Sequence, residues 1–66
     1  MQKRKIDGYF INTYYDENGV DFMIACWILN GRFYHQFYDA KTDETHKIKR
    51  ISEREYISEY EYHYNI

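Results

Sequence analysis

The chain has 66 residues, a formal charge of −2 and an aromatic content of 21%, with nine tyrosines, one cysteine and no proline. So short a chain makes one α+β domain, 1–66, whose single core only just offsets conformational entropy. The lone Cys26 excludes an internal disulfide, and no cysteine cluster takes its place at a metal. Net negative charge argues against a general nucleic-acid coat. No apolar run reaches the length of a signal peptide or membrane span, so a cytoplasmic protein with no membrane contact is expected. Stability must come from dense aromatic packing, from oligomerisation, or from both. The usage of Ile, Lys, Asn, Tyr and Phe is the one favoured by AT-rich codons, which points to a low-GC bacterium, its plasmid or its phage as the source.

The chain opens with a basic cluster, Lys3, Arg4 and Lys5, and runs into KIDGYFINTYY, a predicted strand over 5–15. Asp16-Glu17-Asn18-Gly19 has turn chemistry, and a four-residue loop there sets Tyr15 opposite Val20 and Gly8 opposite Trp27. A second strand over 20–29 meets a third over 32–39 across Asn30-Gly31, the dipeptide that best tolerates positive φ at both positions of a type I′ turn. That turn pairs Leu29 with Arg32, Ile28 with Phe33, Trp27 with Tyr34, Cys26 with His35 and Ile24 with Phe37. DAKTDE is turn-like, and 45–51 makes a short fourth strand whose Lys47, Lys49 and Arg50 suit a sheet edge.

The closing ISEREYISEYEYHYNI carries two competing periodicities. From Glu59 onward it alternates like a strand, yet Ser52 and Glu55 have the capping-box spacing and Ile51 with Tyr56 the hydrophobic staple. Glu53 and Glu55 favour the positive end of a helix dipole, and Tyr56, Ile57, Tyr60 and Tyr64 recur with helical period. A helix over 52–63 is therefore predicted, with Tyr56, Tyr60 and Tyr64 against the sheet and Tyr62 outward.

Strand alternation divides the meander into two faces. Tyr9, Ile11, Thr13, Val20, Phe22, Ile24, Cys26, Ile28, Phe33, His35 and Phe37 form face A, the more aliphatic, which the helix covers. Phe10, Asn12, Tyr14, Asp21, Met23, Ala25, Trp27, Leu29, Arg32, Tyr34, Gln36 and Tyr38 form face B, left open. A slip in the first loop would exchange the faces of the first strand.

Chemistry is scarce. Cys26 and His35 are cross-strand neighbours, but under a helix such a cysteine is a small hydrophobe whose burial raises the thiol pKa and blocks access. His35, His46 and His63 with Asp39, Asp43 and Glu44 lack metal-binding spacing, and Gly8, Gly19 and Gly31 form no phosphate loop. No catalytic, cofactor or metal residue is assigned and no enzyme activity is expected. An open aromatic sheet face instead predicts a binding module, with Trp27, Tyr34, Tyr38, Met23, Arg32 and Tyr14 as contact residues for a protein partner. Glu55, Glu59 and Glu61 add a secondary acidic surface of the kind that mimics nucleic acid, suited to an inhibitor carried by a mobile element. The alternatives are a homodimer that buries face B, and a single-strand nucleic-acid binder that stacks bases on it.

Overall fold

The computed structural model describes residues 6–66; Lys3, Arg4 and Lys5, including the first residue of the predicted opening strand, lie outside the described residues. Strands β1 (Ile6–Asp16), β2 (Gly19–Leu29), β3 (Arg32–Asp39), β4 (Glu44–Thr45) and β5 (Lys49–Ile51) precede one helix, α1 (Glu53–Tyr64). The sheet is antiparallel in the order β1-β2-β3-β4, with β5 also on β3, and the helix lies on one of its faces. This is the α+β arrangement that the sequence predicts.

Local chemistry explains the turns. Asn30 and Gly31 have φ of 53° and 74°, as a type I′ turn requires, and Leu29↔Arg32 through Phe22↔Asp39 pair in unbroken register. The first loop is tighter than predicted. Only Glu17 and Asn18 lie between the strands, closed by the Asp16↔Gly19 pair, and the Asp16 carboxylate accepts from the Asn18 amide at 2.8 Å. The predicted fourth strand divides in two because its pairing with β3 slips by one residue between Tyr38↔Thr45 and Phe33↔Ile51. In the gap, the His46 amide donates to the Phe37 carbonyl at 2.9 Å and the Gln36 side chain donates to the His46 carbonyl at 3.1 Å.

Helix α1 starts as its sequence predicts. Ser52 is the N-cap, its hydroxyl accepting from the Glu55 amide at 3.1 Å while the Glu55 carboxylate accepts from the Ser52 amide at 3.2 Å. It ends at Asn65, whose φ of 55° is the left-handed conformation that stops helices.

The face of β1 is the principal departure. Phe10↔Cys26, Asn12↔Ile24 and Tyr14↔Phe22 are the observed pairs, with register shifts on both sides of this segment. Asp21 is the extra residue on β2 at one end, since Tyr15 pairs with Val20 and Tyr14 with Phe22. At the other end β1 bulges at Gly8, so that Asp7 still pairs with Ile28. Phe10, Asn12 and Tyr14, assigned above to the open face, therefore face the helix, and Tyr9, Ile11 and Thr13 take the open side. Gly8 sits at φ 56° and its carbonyl accepts the Tyr56 hydroxyl at 2.6 Å.

The core between the layers is Phe10, Cys26, Ile51 and Tyr56, with Ile24, Ile28 and Phe33 packed against it. Cys26 is completely buried and Tyr56 nearly so, its ring 5.4 Å from Phe10 and 5.1 Å from Phe33. A methyl group on Gly8 would stand 2.3 Å from the Tyr56 hydroxyl and 3.1 Å from Ile28. Gly8→Ala should therefore destabilise the fold by about 1–3 kcal/mol, from the left-handed backbone and the clash together. Urea denaturation measures it, and an unchanged midpoint would contradict this account of the bulge.

Candidate functional site

Two regions concentrate polar or aromatic side chains: the seam between β1 and α1, and the sheet face away from the helix. In the seam, Asn12 is 3% exposed, so its amide must find partners inside the protein. Its Nδ2 donates to the Glu59 carbonyl at 3.0 Å and to Glu59 Oε1 at 2.8 Å, and its Oδ1 lies 2.7 Å from His63 Nδ1. The Tyr14 hydroxyl donates to the same Glu59 oxygen at 3.0 Å. With Nδ2 committed to two acceptors, Oδ1 is the acceptor and His63 Nδ1 carries the proton. Glu59 and His63 join Tyr56 against the sheet, and Tyr60 and Tyr64, predicted there, set their rings on Phe10 while keeping 39% and 51% of their surface exposed.

Above Asn12, Tyr62 stacks on Tyr14 at 5.1 Å, Tyr14 on Phe22 at 4.6 Å and Phe22 on Phe37 at 5.0 Å. Tyr62, predicted to point outward, is 59% exposed and rests one face of its ring on Tyr14. Tyr14 itself is withdrawn from the open face and held by Glu59, and its phenol pKa is raised by burial and then by that hydrogen bond.

The one thiol beneath this seam is not activated as a nucleophile. Cys26 does stand opposite His35, as the hairpin register predicts, but it is 0% exposed. Burial, and then the charge of Glu59, push its thiol up to about 11, whereas a nucleophilic thiol is shifted down. A cleft lined by Ile24, His35, Ile51, Glu55, Ser58 and Glu59 opens nearby, but Glu55 there serves the helix cap and Glu59 the Asn12 network. Among the described residues no three histidine, cysteine or acidic side chains are grouped to hold a metal.

The predicted acidic surface is thus reduced. Glu59 is half-buried in the Asn12 network, while Glu55, at the helix cap, and Glu61, beside Glu53, Arg54, Ile57 and Ser58 on the outer side of the helix, stay exposed.

The open sheet face carries Tyr9, Ile11 and Thr13 from β1, Met23, Ala25, Trp27 and Leu29 from β2, and Arg32, Tyr34, Gln36 and Tyr38 from β3. Five of the six predicted contact residues lie here, but not on equal terms. Trp27 is only 8% exposed, between the rings of Tyr9 at 6.1 Å and Tyr34 at 6.2 Å. It therefore contributes little of the surface that this face presents. Met23, Tyr34 and Tyr38 are half-buried and Arg32 is exposed.

The hollow of the face lies one row further along, a groove of about 240 Å³ lined by Ile11, Met23, Ala25, Gln36, Tyr38 and Thr45. Ile11, Ala25, Gln36 and Thr45 were not singled out as contact residues. Ile11 was hidden by the wrong face of β1, and Ala25 is too small to register as an anchor although its size makes the hollow. Tyr38 is held in place by donating to Asp43 at 2.6 Å, a bond that also raises its pKa. Comparison with family models, curated proteins and solved structures returns no match, so the functional reading rests on this geometry.

The Cys26 shift has a measurable sign. Below pH 9.0 the thiol is protonated in both folded and unfolded chains, and between there and about 11 the unfolded chain ionises first. Stability should fall as pH rises through that window, and the raised values of Tyr14 and Tyr56 act in the same direction. Denaturation midpoints across the window should decline less steeply in Cys26→Ala, by at most about 1.4 kcal/mol per pH unit. Equal slopes in both proteins would count against a buried neutral thiol.

Proposed function

We propose that this chain is a non-catalytic protein-binding module whose contact surface is the open face of the sheet. The observation that carries the reading is the groove lined by Ile11, Met23, Ala25, Gln36, Tyr38 and Thr45, an apolar hollow with polar groups at its rim, on the side of the sheet away from the helix. Such a hollow accepts one or two apolar side chains of a partner, with Gln36 and Tyr38 available to fix orientation and Arg32 and Arg50 flanking Tyr34 at the periphery. The burial of Trp27 favours a protein over a nucleic-acid strand. Stacking a base needs an exposed aromatic face, and the largest ring on this side has almost none. A cytoplasmic setting agrees with the single unpaired thiol. Inhibition of a host protein by a mobile-element product is the role that small size and AT-rich residue usage support.

Ala25 forms the floor of the groove, so Ala25→Arg should fill it without touching the helix-covered core. In pull-downs from native host cells, a partner retained by the wild-type chain should bind the variant at least about tenfold more weakly, while the thermal melt stays within a few degrees. Equal retention by the two proteins would overturn the assignment of the contact to this face.

A further inference from the structure

The two lateral edges of the sheet are not alike. On the β3 side the edge is broken into the short β4 and β5, and Lys47, Lys49 and Arg50 lie along it, the usual means by which a sheet discourages pairing with another chain. On the other side β1 runs 11 residues, pairs only with β2 among the described residues, and carries no charged residue between Gly8 and Tyr15. Its bulge is confined to the Gly8 end, and Phe10 to Tyr14 stay in straight register.

The exposed apolar residues gather on the same edge. Tyr9, Ile11 and Tyr15 of β1 are 55%, 39% and 71% exposed. Tyr60, Tyr62 and Tyr64 of the helix, whose rings pack on Phe10 and Tyr14 of that strand, are 39%, 59% and 51% exposed. At about 200 Å² for a whole tyrosine, these five tyrosines leave on the order of 550 Å² open. Ile6, Ile11 and Ile66 bring the band into the range of the roughly 800 Å² per partner that a stable interface buries.

We propose that two copies of this chain join edge to edge through antiparallel pairing of β1 with β1. The sheet then continues across a two-fold axis, with both helices on the same side. Centring the axis on Asn12, the midpoint of the straight segment, sets each Ile11 against Thr13 and each Tyr9 against Tyr15 of the other copy. In this register Gly8 faces Asp16, Asp7 of each copy falls opposite Glu17 in the turn of the other, just beyond the paired segment, and the contact is isologous, as a closed dimer requires. It uses the edge of β1 and shares only Ile11 with the groove of the open face, and it does not rest on the function proposed above.

Light scattering from low to high micromolar concentration should give a mass that rises to twice that of the chain. Over the same range, hydrogen exchange of the Phe10–Tyr14 amides should slow. The double variant Tyr15→Lys with Tyr62→Lys should raise the dimer dissociation constant at least about tenfold, whereas Ala25→Arg on the open face should leave it unchanged. A strict monomer, β1 exchange that ignores concentration, or a dimer lost in Ala25→Arg but kept in the double variant would each overturn the edge-to-edge dimer. None of these bears on whether Ala25→Arg loses a partner in the pull-down, so the two readings fail separately.

Discussion

Two register shifts bracket Phe10 to Tyr14, and the way they turn this segment toward the helix governs how the layers meet. With Asn12 inside the seam, a buried amide must be satisfied there, and leaving it unpaired would cost about 1–3 kcal/mol. Glu59 and His63 satisfy it from successive turns of the helix, so the helix cannot rotate without breaking those bonds, and Tyr60 and Tyr64 meet the sheet at the ring of Phe10. Tyr56 then falls over the Gly8 bulge, where its hydroxyl finds the carbonyl that the bulge turns toward it. Polar contacts thus choose among helix orientations that apolar area alone would rank as similar, since tyrosine occurs on several sides of α1.

The same choice decides where aromatic surface is left over. Among the described residues only Phe10, Asn12, Cys26, Trp27, Ile51 and Tyr56 are buried, which is little for a chain that must offset its own ordering entropy. The sheet–helix pair leaves two apolar regions unused, the groove of the open face and the tyrosine band along β1. A chain with so small a core would gain stability from any partner that covered such surface, the physical ground on which the proposed contacts rest. Reactive chemistry is the reverse case: the one thiol lies at the centre of the core, where burial keeps it protonated.

The hairpin and the helix could be read from the sequence because their signals are local. Asn30-Gly31 carries its positive φ in its own residue types, and Ser52 with Glu55 carries the cap in four consecutive residues. Face A of β3, and of β2 from Phe22 onward, followed from that turn, whereas Val20, beyond the extra Asp21, shares the face of its partner Tyr15. The face of β1 did not, because one extra residue at Asp21 exchanges both sides of the strand, and IDGYFINTYYD is aromatic on each side and so offers no preference. Tyr14 was misplaced for that reason. Glu59 was read as surface because the sequence of a helix does not say which of its acids an amide on a distant strand will claim.

Residue type and spacing by themselves determined the elements, their order, the β2–β3 register and the presence of an open sheet face, all of them consequences of backbone preferences within a few residues. Tertiary structure alone decided that β1 turns Asn12 inward, that Trp27 is buried and Ala25 forms the floor of a groove, and that the exposed tyrosines collect on one unguarded edge. The physical reason is that each depends on a hydrogen bond or a shared surface between different elements, across 45 or more residues in the case of Asn12 and Tyr14, and such pairings leave no trace in the local order of side chains.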